Sequence, residues 1–459
     1  MQGVPAKENL PTCATQTVRN QRIPKRPHVQ GDGEALRLRR SAGELTDGTG
    51  LLLVRKLWDG LGLGAWLDQQ AKEIGGRYRP SLMVELWVAL LLYGGRGMDD
   101  LPRLENRGVR RMFGWKAVPD PTTYGRWLRR AGEKVTKHLD TLLWRMVQMR
   151  WKVAGVPKAV MLLLDSHVAV RYGEKQAGAE KGYNPKKPGR RSHHPMMAFL
   201  AETGDCMGVR WRAGKAHTAE GACAWIEEMV KRLRAAGVER ITLRMDKGFF
   251  SKEMVLTLQR LEVDYVLKVP AYKPFRRLLG PLRQSKKDKR LWTGSASLYG
   301  ARLLAVEQRR ELKTEEGELE LGAVELQKRA YVLTNLPGLH AISAWRLYNR
   351  GAVVESRIKE LVQLGAGATA VDDLGGNHLL WAMTALAYQV QHTIRTQGLS
   401  GSWRRAEPNR LRNWLFRMPA KLTSHARKRY VQMTRGEPIG EMLLRALRRL
   451  EALGPPLPA

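Results

Sequence analysis

Short apolar runs, separated by glycine, proline and charged residues, divide the middle of the chain into strands and helices. The runs have the length and composition of buried strands at 159–164, 195–201, 207–212, 240–245 and 264–269. Two amphipathic segments, 219–236 and 251–262, have the spacing of helices that cover a sheet. The sequence around Thr203, Gly204 and Asp205 predicts a turn between the second and third strands.

In chain order these elements are three consecutive strands, then helix, strand, helix and strand. This is the order of a ribonuclease-H-like sheet, so we predict an α/β protein with a ribonuclease-H-like catalytic core. The first strand stops at Asp165 and the fourth stops at Asp246. In that architecture the first and fourth strands carry acidic residues at adjacent ends, which predicts that these two aspartates are neighbours.

A third carboxylate, Glu355, lies far downstream at the head of an amphipathic segment. Carboxylates at strand ends lie where a sheet opens to solvent, so Asp165, Asp246 and Glu355 can converge on hard divalent cations. Two cations held in this way serve phosphodiester chemistry, because they activate a water or hydroxyl and stabilise an in-line displacement at phosphorus. Taken singly, an aspartate at a strand end is more often a turn former or helix cap, and a glutamate such as Glu355 is more often a solvated helix residue. The hypothesis depends on the three together.

The flanking regions have other patterns, and 459 residues are too many for one ordinary core. The pattern is helical over 46–155, β over 271–335, helical again over 336–400, and basic and aromatic from 401 on. We predict a flexible basic arm (1–45), a helical DNA-binding domain (46–155), the first part of the core (156–270), a β-rich insertion (271–335), the second part of the core with the glutamate helix (336–400) and a basic C-terminal region (401–459).

The charge of the chain indicates a polyanionic partner. Lys and Arg number 79 against 44 acidic residues, which gives a formal net charge of +35. Nucleic acid is the first candidate and an anionic membrane the second. The longest apolar stretches, 82–93 and 379–390, are shorter than the roughly 18 residues that span a bilayer, so we expect no membrane association. The polar start of the chain and three scattered cysteines are typical of a cytoplasmic protein.

A long basic loop, 173–195, follows the first strand. We expect its cations to hold phosphates and one of its rings, Tyr183 or His193, to stack on a distorted base. The residues assigned to this contact are Lys181, Tyr183, Lys186, Lys187, Arg190, Arg191 and His193. The alternative is a solvated basic surface. His167, His193 and His194 are not expected to bind metal, since a carboxylate site needs no histidine.

A second candidate for DNA contact begins at 119–128, where a proline-rich loop and a Thr cap precede a helix. Arg126 and Arg129 on that helix are assigned to DNA binding, and ordinary helix capping is the alternative explanation of the motif. Lys247 and Arg350, which are close in sequence to Asp246 and Glu355, complete the predicted DNA contacts.

The motifs around these residues resemble the DDE transposases of bacterial insertion sequences, in the branch usually called DDE group 1. The segment from Asp165 to Val168, followed by 181–195, resembles the start of that family's catalytic domain. Residues 244–250 are similar to its second-aspartate motif, and 348–361 to its glutamate helix. The resemblance runs from about Leu45 to Tyr430.

The resemblance implies a ribonuclease-H-like fold, two Mg²⁺ or Mn²⁺ ions per site, and cut-and-paste movement of the element's own DNA. We expect Asp165 to bridge the two ions, Asp246 to hold one and Glu355 the other. The implied partners are the double-stranded terminal repeats of the element and target DNA. Because two ends must be joined in coordination, we expect a homodimer on paired ends. The basic C-terminal region could hold a second DNA or subunit, or could cap the core.

The chain departs from the family pattern at a few positions. Lys247 replaces the serine that commonly follows the second aspartate, and Arg350 stands one residue early. Val362 occupies the position of a family lysine, seven residues after Glu355. Glu360 is therefore kept as the reserve candidate for the third carboxylate. Two other functions stay open: a repurposed, inactive DNA-binding protein, and a stand-alone nuclease of the same fold.

Overall fold

The structure is a computed structural model that describes residues 44–182, 184, 187–310, 326–349, 352–365, 371–426 and 428–454. Three residues assigned to DNA contact, Tyr183, Lys186 and Arg350, lie outside the described residues. So do nearly all of the predicted basic arm and residues 311–325 of the predicted β-rich insertion.

The described residues form strands and helices that we number in chain order. The strands are β1 (Glu44–Thr46), β2 (Ala159–Ser166), β3 (Ala169–Val170), β4 (Glu180–Lys181), β5 (Arg191–His193), β6 (Met196–Leu200), β7 (Cys206–Arg210), β8 (Arg240–Met245), β9 (Asp264–Val269), β10 (Arg283–Gln284), β11 (Leu291–Leu298), β12 (Ala301–Arg310), β13 (Leu326–Thr334), β14 (Ala420–His425) and β15 (Lys428–Gln432). The α-helices are α1 (Leu51–Gly60), α2 (Leu63–Gln70), α3 (Pro80–Tyr93), α4 (Arg107–Phe113), α5 (Pro121–Ala154), α6 (Ala222–Ala235), α7 (Lys252–Arg260), α8 (Lys273–Leu279), α9 (Ala341–Asn349), α10 (Ala352–Gln363), α11 (Leu374–Thr393), α12 (Pro408–Leu411) and α13 (Pro438–Glu451). Short 3₁₀ segments are Met98–Glu105, Lys247–Phe249 and Gly401–Arg405, and π-helical turns are Ile394–Gly398 and Arg412–Phe416.

The central sheet has the predicted order. Strands β7, β6, β2, β8 and β9 lie side by side, with β2 antiparallel to β6 and parallel to β8, and β8 parallel to β9. By position in the chain this is the order 3-2-1-4-5, in which the first strand is central and the fourth is its parallel neighbour. The predicted ribonuclease-H-like α/β fold is confirmed.

The predicted β-rich insertion extends this sheet. Strand β13 pairs with the outer edge of β9, and β12, β11 and β10 follow in antiparallel order. An exposed strand edge carries unpaired backbone groups, and β13 satisfies those of β9. The described part of 271–335 therefore continues the sheet, where the sequence suggested only a block between the two parts of the core.

Alternate residues of each strand are buried against different helices, because side chains of a strand point to opposite faces. Leu162 and Leu164 of β2 pack with helices α6 and α7, while Leu163 packs on the face covered by α5 and α11. On the extended part of the sheet, Val266 of β9 and Ala344 of α9 share a third apolar cluster. The sheet is thus covered by helices on both faces.

The N-terminal helices are part of the main core. Leu53, Trp87 and Leu142 from this region are buried in one apolar cluster with Leu386 of α11 and Phe416 near the C-terminus. The residues described from 44 onward belong to one compact unit. The region 46–155 is therefore no separate unit in the structure, and its proposed DNA binding stays a prediction.

Helix α11 lies against the long helix α5, which is kinked at Gly132. Gly132 of α5 has φ +26°, and a Cβ atom there would lie 3.5 Å from the backbone of Gly375. This φ lies in the left-handed half of conformational space, where glycine is favoured, and it kinks α5. No helix of the described ranges is long and apolar enough to cross a membrane.

Candidate catalytic carboxylate site

Strand register places Asp165 and Asp246 side by side. Leu164 of β2 is paired with Met245 of β8 in parallel register, so the next residue of each strand is an aspartate. Leu164 and Met245 both point towards α6 and α7, so alternation turns the two aspartates to the opposite face. Neighbouring strands are about 4.8 Å apart, which brings the two carboxylates to adjoining positions at one end of the sheet.

Helix α10 brings Glu355 to the same face. Ile358 and Leu361 of α10 are buried in the cluster that covers the face of Leu163, and the helix contacts β2. Glu355 lies in the first turn of α10 and is exposed. The negative charge of Glu355 acts on Asp165, whose pKa it helps to raise. The fold therefore gathers three carboxylates that are far apart in sequence.

The charge of Asp165 is poorly compensated. Burial raises the pKa of Asp165 to about 6, and the charges of Asp246 and Glu355 add to the rise. The backbone N–H of Ser166, which donates to Asp165 Oδ1 at 2.8 Å, and the guanidinium of Arg244 oppose it. Carboxylates that raise one another's pKa form a site of unbalanced negative charge, which a cation would stabilise.

Asp246 has partners that Asp165 lacks. The Tyr348 hydroxyl donates a hydrogen bond of 2.9 Å to Asp246 Oδ1, and Lys268 Nζ lies 3.8 Å from the same oxygen. The Arg244 guanidinium and Lys268 Nζ lie 4.5 Å and 5.0 Å from the centre of the Tyr348 ring. Burial, with the charge of Asp246, raises the pKa of Tyr348, so its hydroxyl stays a proton donor at neutral pH.

The chemistry of these oxygens fits a hard divalent cation, since carboxylates are its preferred protein ligands. Within the described ranges, however, no group of three or more His, Cys, Asp or Glu side chains is arranged to hold a metal ion. Asp246 is instead engaged by Tyr348 and Lys268. The donor set and its uncompensated charge fit a divalent cation, and a closed coordination shell would need a change in these contacts.

Glu360 lies in a different environment from Glu355. Its carboxylate is 2.8 Å from Arg357 and 3.0 Å from the buried Arg395, and only 12% of its side chain is exposed. Two arginines therefore compensate its charge and hold it between α10 and α11. This position supports Glu355 over the reserve candidate.

The described part of the basic loop forms a small antiparallel sheet of β3, β5 and β4. Lys181, Lys187, Arg190 and Arg191 are exposed on it, as the prediction of phosphate contact requires. Lys187 is hydrogen-bonded to the hydroxyl of Tyr172, and Arg190 lies 5.7 Å from the centre of that ring. Tyr172 is 69% exposed, so it presents an aromatic surface to solvent among these cations.

The prediction that His193 stacks on a base is wrong for this structure, because its side chain is wholly buried. Nε2 of His193 is 2.9 Å from the carbonyl of Ala177, Arg171 Nε donates to Nδ1, and the ring packs against Trp211. Burial, together with the charge of Arg171, lowers the pKa of His193 to about 4. His193 therefore supports the fold of the loop as a neutral side chain.

The other predicted DNA contacts are dispersed. Lys247 is exposed in the 3₁₀ segment that directly follows Asp246. Arg126 is exposed on α5, and Arg129 on the same helix forms an ion pair of 2.7 Å with Asp372. Arg126 and Arg129 remain predictions for DNA contact, and part of the charge of Arg129 already serves a contact within the chain.

The sequence assigned no role to Lys268 or Tyr172, and Arg244 and Tyr348 were noted only as parts of the motif segments 244–250 and 348–361. Lys268 had a usable pattern: it is the single charged residue inside the apolar run 265–269. Since strand side chains alternate, its place two residues after Val266 puts it on the face of Asp246. The exposure of Tyr172 had no comparable pattern.

A ribonuclease-H-like sheet with carboxylates at the adjoining ends of its first and fourth strands defines the class of this protein. The family described as "Transposase DDE domain group 1" matches residues 29–455, and the chain belongs to this family. The resemblance found in the sequence is thereby confirmed, and membership implies dependence on a divalent metal.

Among solved structures, the chain is similar to one described as "Cryo-EM structure of piggyBac transposase synaptic complex with hairpin DNA", with 15% identity, 78% of each chain covered and a TM-score of 0.43. No curated protein matches the chain.

Proposed function

We propose that this chain is the transposase of a bacterial insertion sequence, which binds the ends of its own element, cleaves them and joins the 3′ ends to target DNA. Its family supports the class of reaction. The observation that carries the proposal is the shared negative charge of Asp165, Asp246 and Glu355 at one end of the sheet. The net charge of +35 supports DNA as the partner.

Asp165, Asp246 and Glu355 would hold two Mg²⁺ ions, or Mn²⁺, through their carboxylate oxygens. Cations bound there supply activation of a water or hydroxyl and stabilise the charge of an in-line displacement at phosphorus. The chain's own groups orient the ligands: the Ser166 N–H fixes one oxygen of Asp165, and the Tyr348 hydroxyl fixes one of Asp246. The same carboxylates serve end cleavage and joining, because both reactions are displacements at phosphate.

Exposed cations near the site would hold the DNA backbone. Lys187, Arg190 and Arg191 on the loop, and Lys247 beside Asp246, can neutralise phosphates. Tyr172, exposed between Lys187 and Arg190, replaces His193 as our candidate for stacking on an unpaired base. A spread of positive charge on one side of the carboxylates would keep the DNA against them.

A strand-transfer assay with the two ends of the element that encodes the chain tests this proposal. Incubated with Mg²⁺ and a plasmid target, the parent should cut at the element ends and join the 3′ ends to the plasmid, and Asp165→Asn should do neither. Binding of ends without cutting by the parent would favour a repurposed DNA-binding protein. Cutting without joining would favour a stand-alone nuclease.

We further propose that the active species is a homodimer on paired ends, because a single site per chain cannot serve two ends at once. Deleting the C-terminal region would not test this, because Leu415, Phe416 and Leu443 of that region are buried in the main core. The mass of the complex formed with end DNA should instead equal two chains and two ends. One chain per complex in a joining-competent preparation would contradict the proposal.

A further inference from the structure

A basic groove lies beside the start of helix α9, on the extended part of the sheet. It has a volume of about 1060 Å³. One wall is the segment 283–287, with Arg283, Lys286 and Lys287, and the other includes Arg302 of β12 and Arg346 of α9. We call it the α9 groove.

The charge of the α9 groove is available to a ligand. Asp288 is the acidic residue among its described lining residues, and an ion pair of 3.1 Å with Arg290 already engages it. Lys286 and Lys287 are exposed, and neither forms an ion pair with another described residue, while the exposed Arg346 is close enough for its charge to act on Asp288. The hydroxyls of Ser285, Thr293 and Ser295 also line the groove. Cations together with hydroxyl donors suit phosphate oxygens.

Helix α9 connects the α9 groove to the carboxylate site. Its first residues, Ala341 to Ser343, line the groove, and Tyr348 near its other end donates to Asp246. Ala341 lies seven residues from Tyr348, about 10 Å along the helix, whereas Arg346, which also lines the groove, lies two residues away, about 3 Å. Successive phosphates of one DNA strand rise about 3.4 Å along the duplex, so these distances correspond to about one to three phosphates.

We propose that the α9 groove binds the sugar–phosphate backbone of the DNA strand about one to three nucleotides from the phosphate that is cleaved. This inference rests on the proposed function, because it assumes that cleavage occurs at Asp165 and Asp246. The occupant is a phosphodiester backbone, since the described walls offer cations and hydroxyls with Asp288 as the acidic residue among them. The groove would thus fix the position of the strand relative to the carboxylates.

A pairwise test removes protein charge and DNA charge separately. End duplexes with one neutral methylphosphonate at a chosen position are titrated with the parent and with the double variant Lys286→Gln/Lys287→Gln. For the parent, neutralising the phosphates in the groove should weaken binding several-fold. For the variant, neutralising the same phosphates should not weaken binding any further. Neutralising phosphates elsewhere in the duplex should weaken binding by the variant as much as it weakens binding by the parent. The slope of log affinity against log salt should fall by about 0.9 for each phosphate that the variant no longer neutralises.

The matched control is Arg445→Gln/Arg448→Gln on α13, which removes the same charge from another exposed surface. It should leave the pattern of methylphosphonate effects unchanged. The groove proposal is overturned if the Lys286/Lys287 variant keeps the parental pattern, or if it weakens binding equally at every position. If either of these results is obtained while the parent still cuts end DNA, the groove assignment is wrong but the proposed function stands. A parent that neither binds nor cuts its ends would instead refute the proposed function.

Discussion

Carboxylates occur both at the sheet edge and in the interior beneath α11, but among the described residues only the interior ones, Asp205 and Glu360, form ion pairs with arginine in this comparison. In the interior, the fully buried Asp205 is bonded to Arg150 and accepts from Gln389 at 2.7 Å. Glu360 lies between two arginines in the same region. At the edge, Asp165 has one backbone donor and two acidic neighbours that raise its pKa.

The difference separates structural from chemical carboxylates. A buried charge costs several kcal/mol unless it is paired, and arginines form ion pairs with both Asp205 and Glu360. At the edge the same cost is left uncompensated, which is expected where an external cation completes the site. Asp246, with Tyr348 and Lys268, is intermediate between the two. Four predictions test this division.

The largest effect is expected at the edge. Asp165→Asn or Asp246→Asn should lower the rate of DNA cleavage at least about a thousandfold, because several kcal/mol of transition-state stabilisation disappears. Binding of end DNA and thermal stability should stay close to those of the parent, since neither side chain pairs with a buried cation among the described residues. Cleavage of labelled ends and gel-shift titration provide the measurements. A rate within about tenfold of the parent would contradict the assignment.

The two glutamates of α10 should separate activity from stability. Glu355→Gln should be inactive yet as stable as the parent, because its side chain is exposed. Glu360→Gln should keep cleavage but lower the free energy of unfolding by about 3 kcal/mol, since Arg395 is left buried without its partner. Urea denaturation and the cleavage assay measure the two effects. The reverse pattern would make Glu360 the third carboxylate and undo the division.

Acidification should affect the interior through His193. Its folded pKa, about 4, lies below the unfolded value, so its contribution to stability is present above about pH 6.5 and lost as the pH falls towards 4. The decrease amounts to about 3 kcal/mol. Urea denaturation across this range should show a smaller decrease for His193→Gln than for the parent. If the free energy of unfolding fell equally with pH in the parent and in His193→Gln, the His193 ring would be accessible and protonated in the folded protein, as DNA contact would require.

The smallest effect is expected for the cation already at the edge. Lys268→Met should tighten Mn²⁺ binding about two- to fivefold, because a part-exposed ion pair contributes up to about 1 kcal/mol. Electron paramagnetic resonance of free Mn²⁺ measures this without catalysis. Lys158→Met is the matched control, since Lys158 pairs with Glu239 at 3.5 Å just before the first residues of β2 and β8. Equal Mn²⁺ affinity of both variants would show that Lys268 does not compete for Asp246.

Much of the catalytic core could be predicted from local patterns. The strands at 240–245 and 264–269 have the predicted bounds, and β2 continues two residues beyond its predicted end. These runs are strongly apolar and bounded by polar residues, so length and alternation specify them locally. The exposed side chains of the basic loop were harder to predict, because they depend on how the loop folds back on the sheet. In the structure His193 is buried and Tyr172, just before the loop, is exposed.

The sequence by itself determined the order of strands and helices, the two strand-end aspartates and the basic character of the chain, because each depends on nearby residues or on composition alone. Tertiary structure decided the rest. It joined 46–155 and the C-terminal region to one core through Leu386 and Phe416, and attached 326–334 to the edge of β9. It also gave Glu360 two arginines, whereas Asp165 has no arginine as a direct partner among the described residues. These contacts join residues that are distant in the chain, so they cannot be predicted from the local periodicity of the sequence.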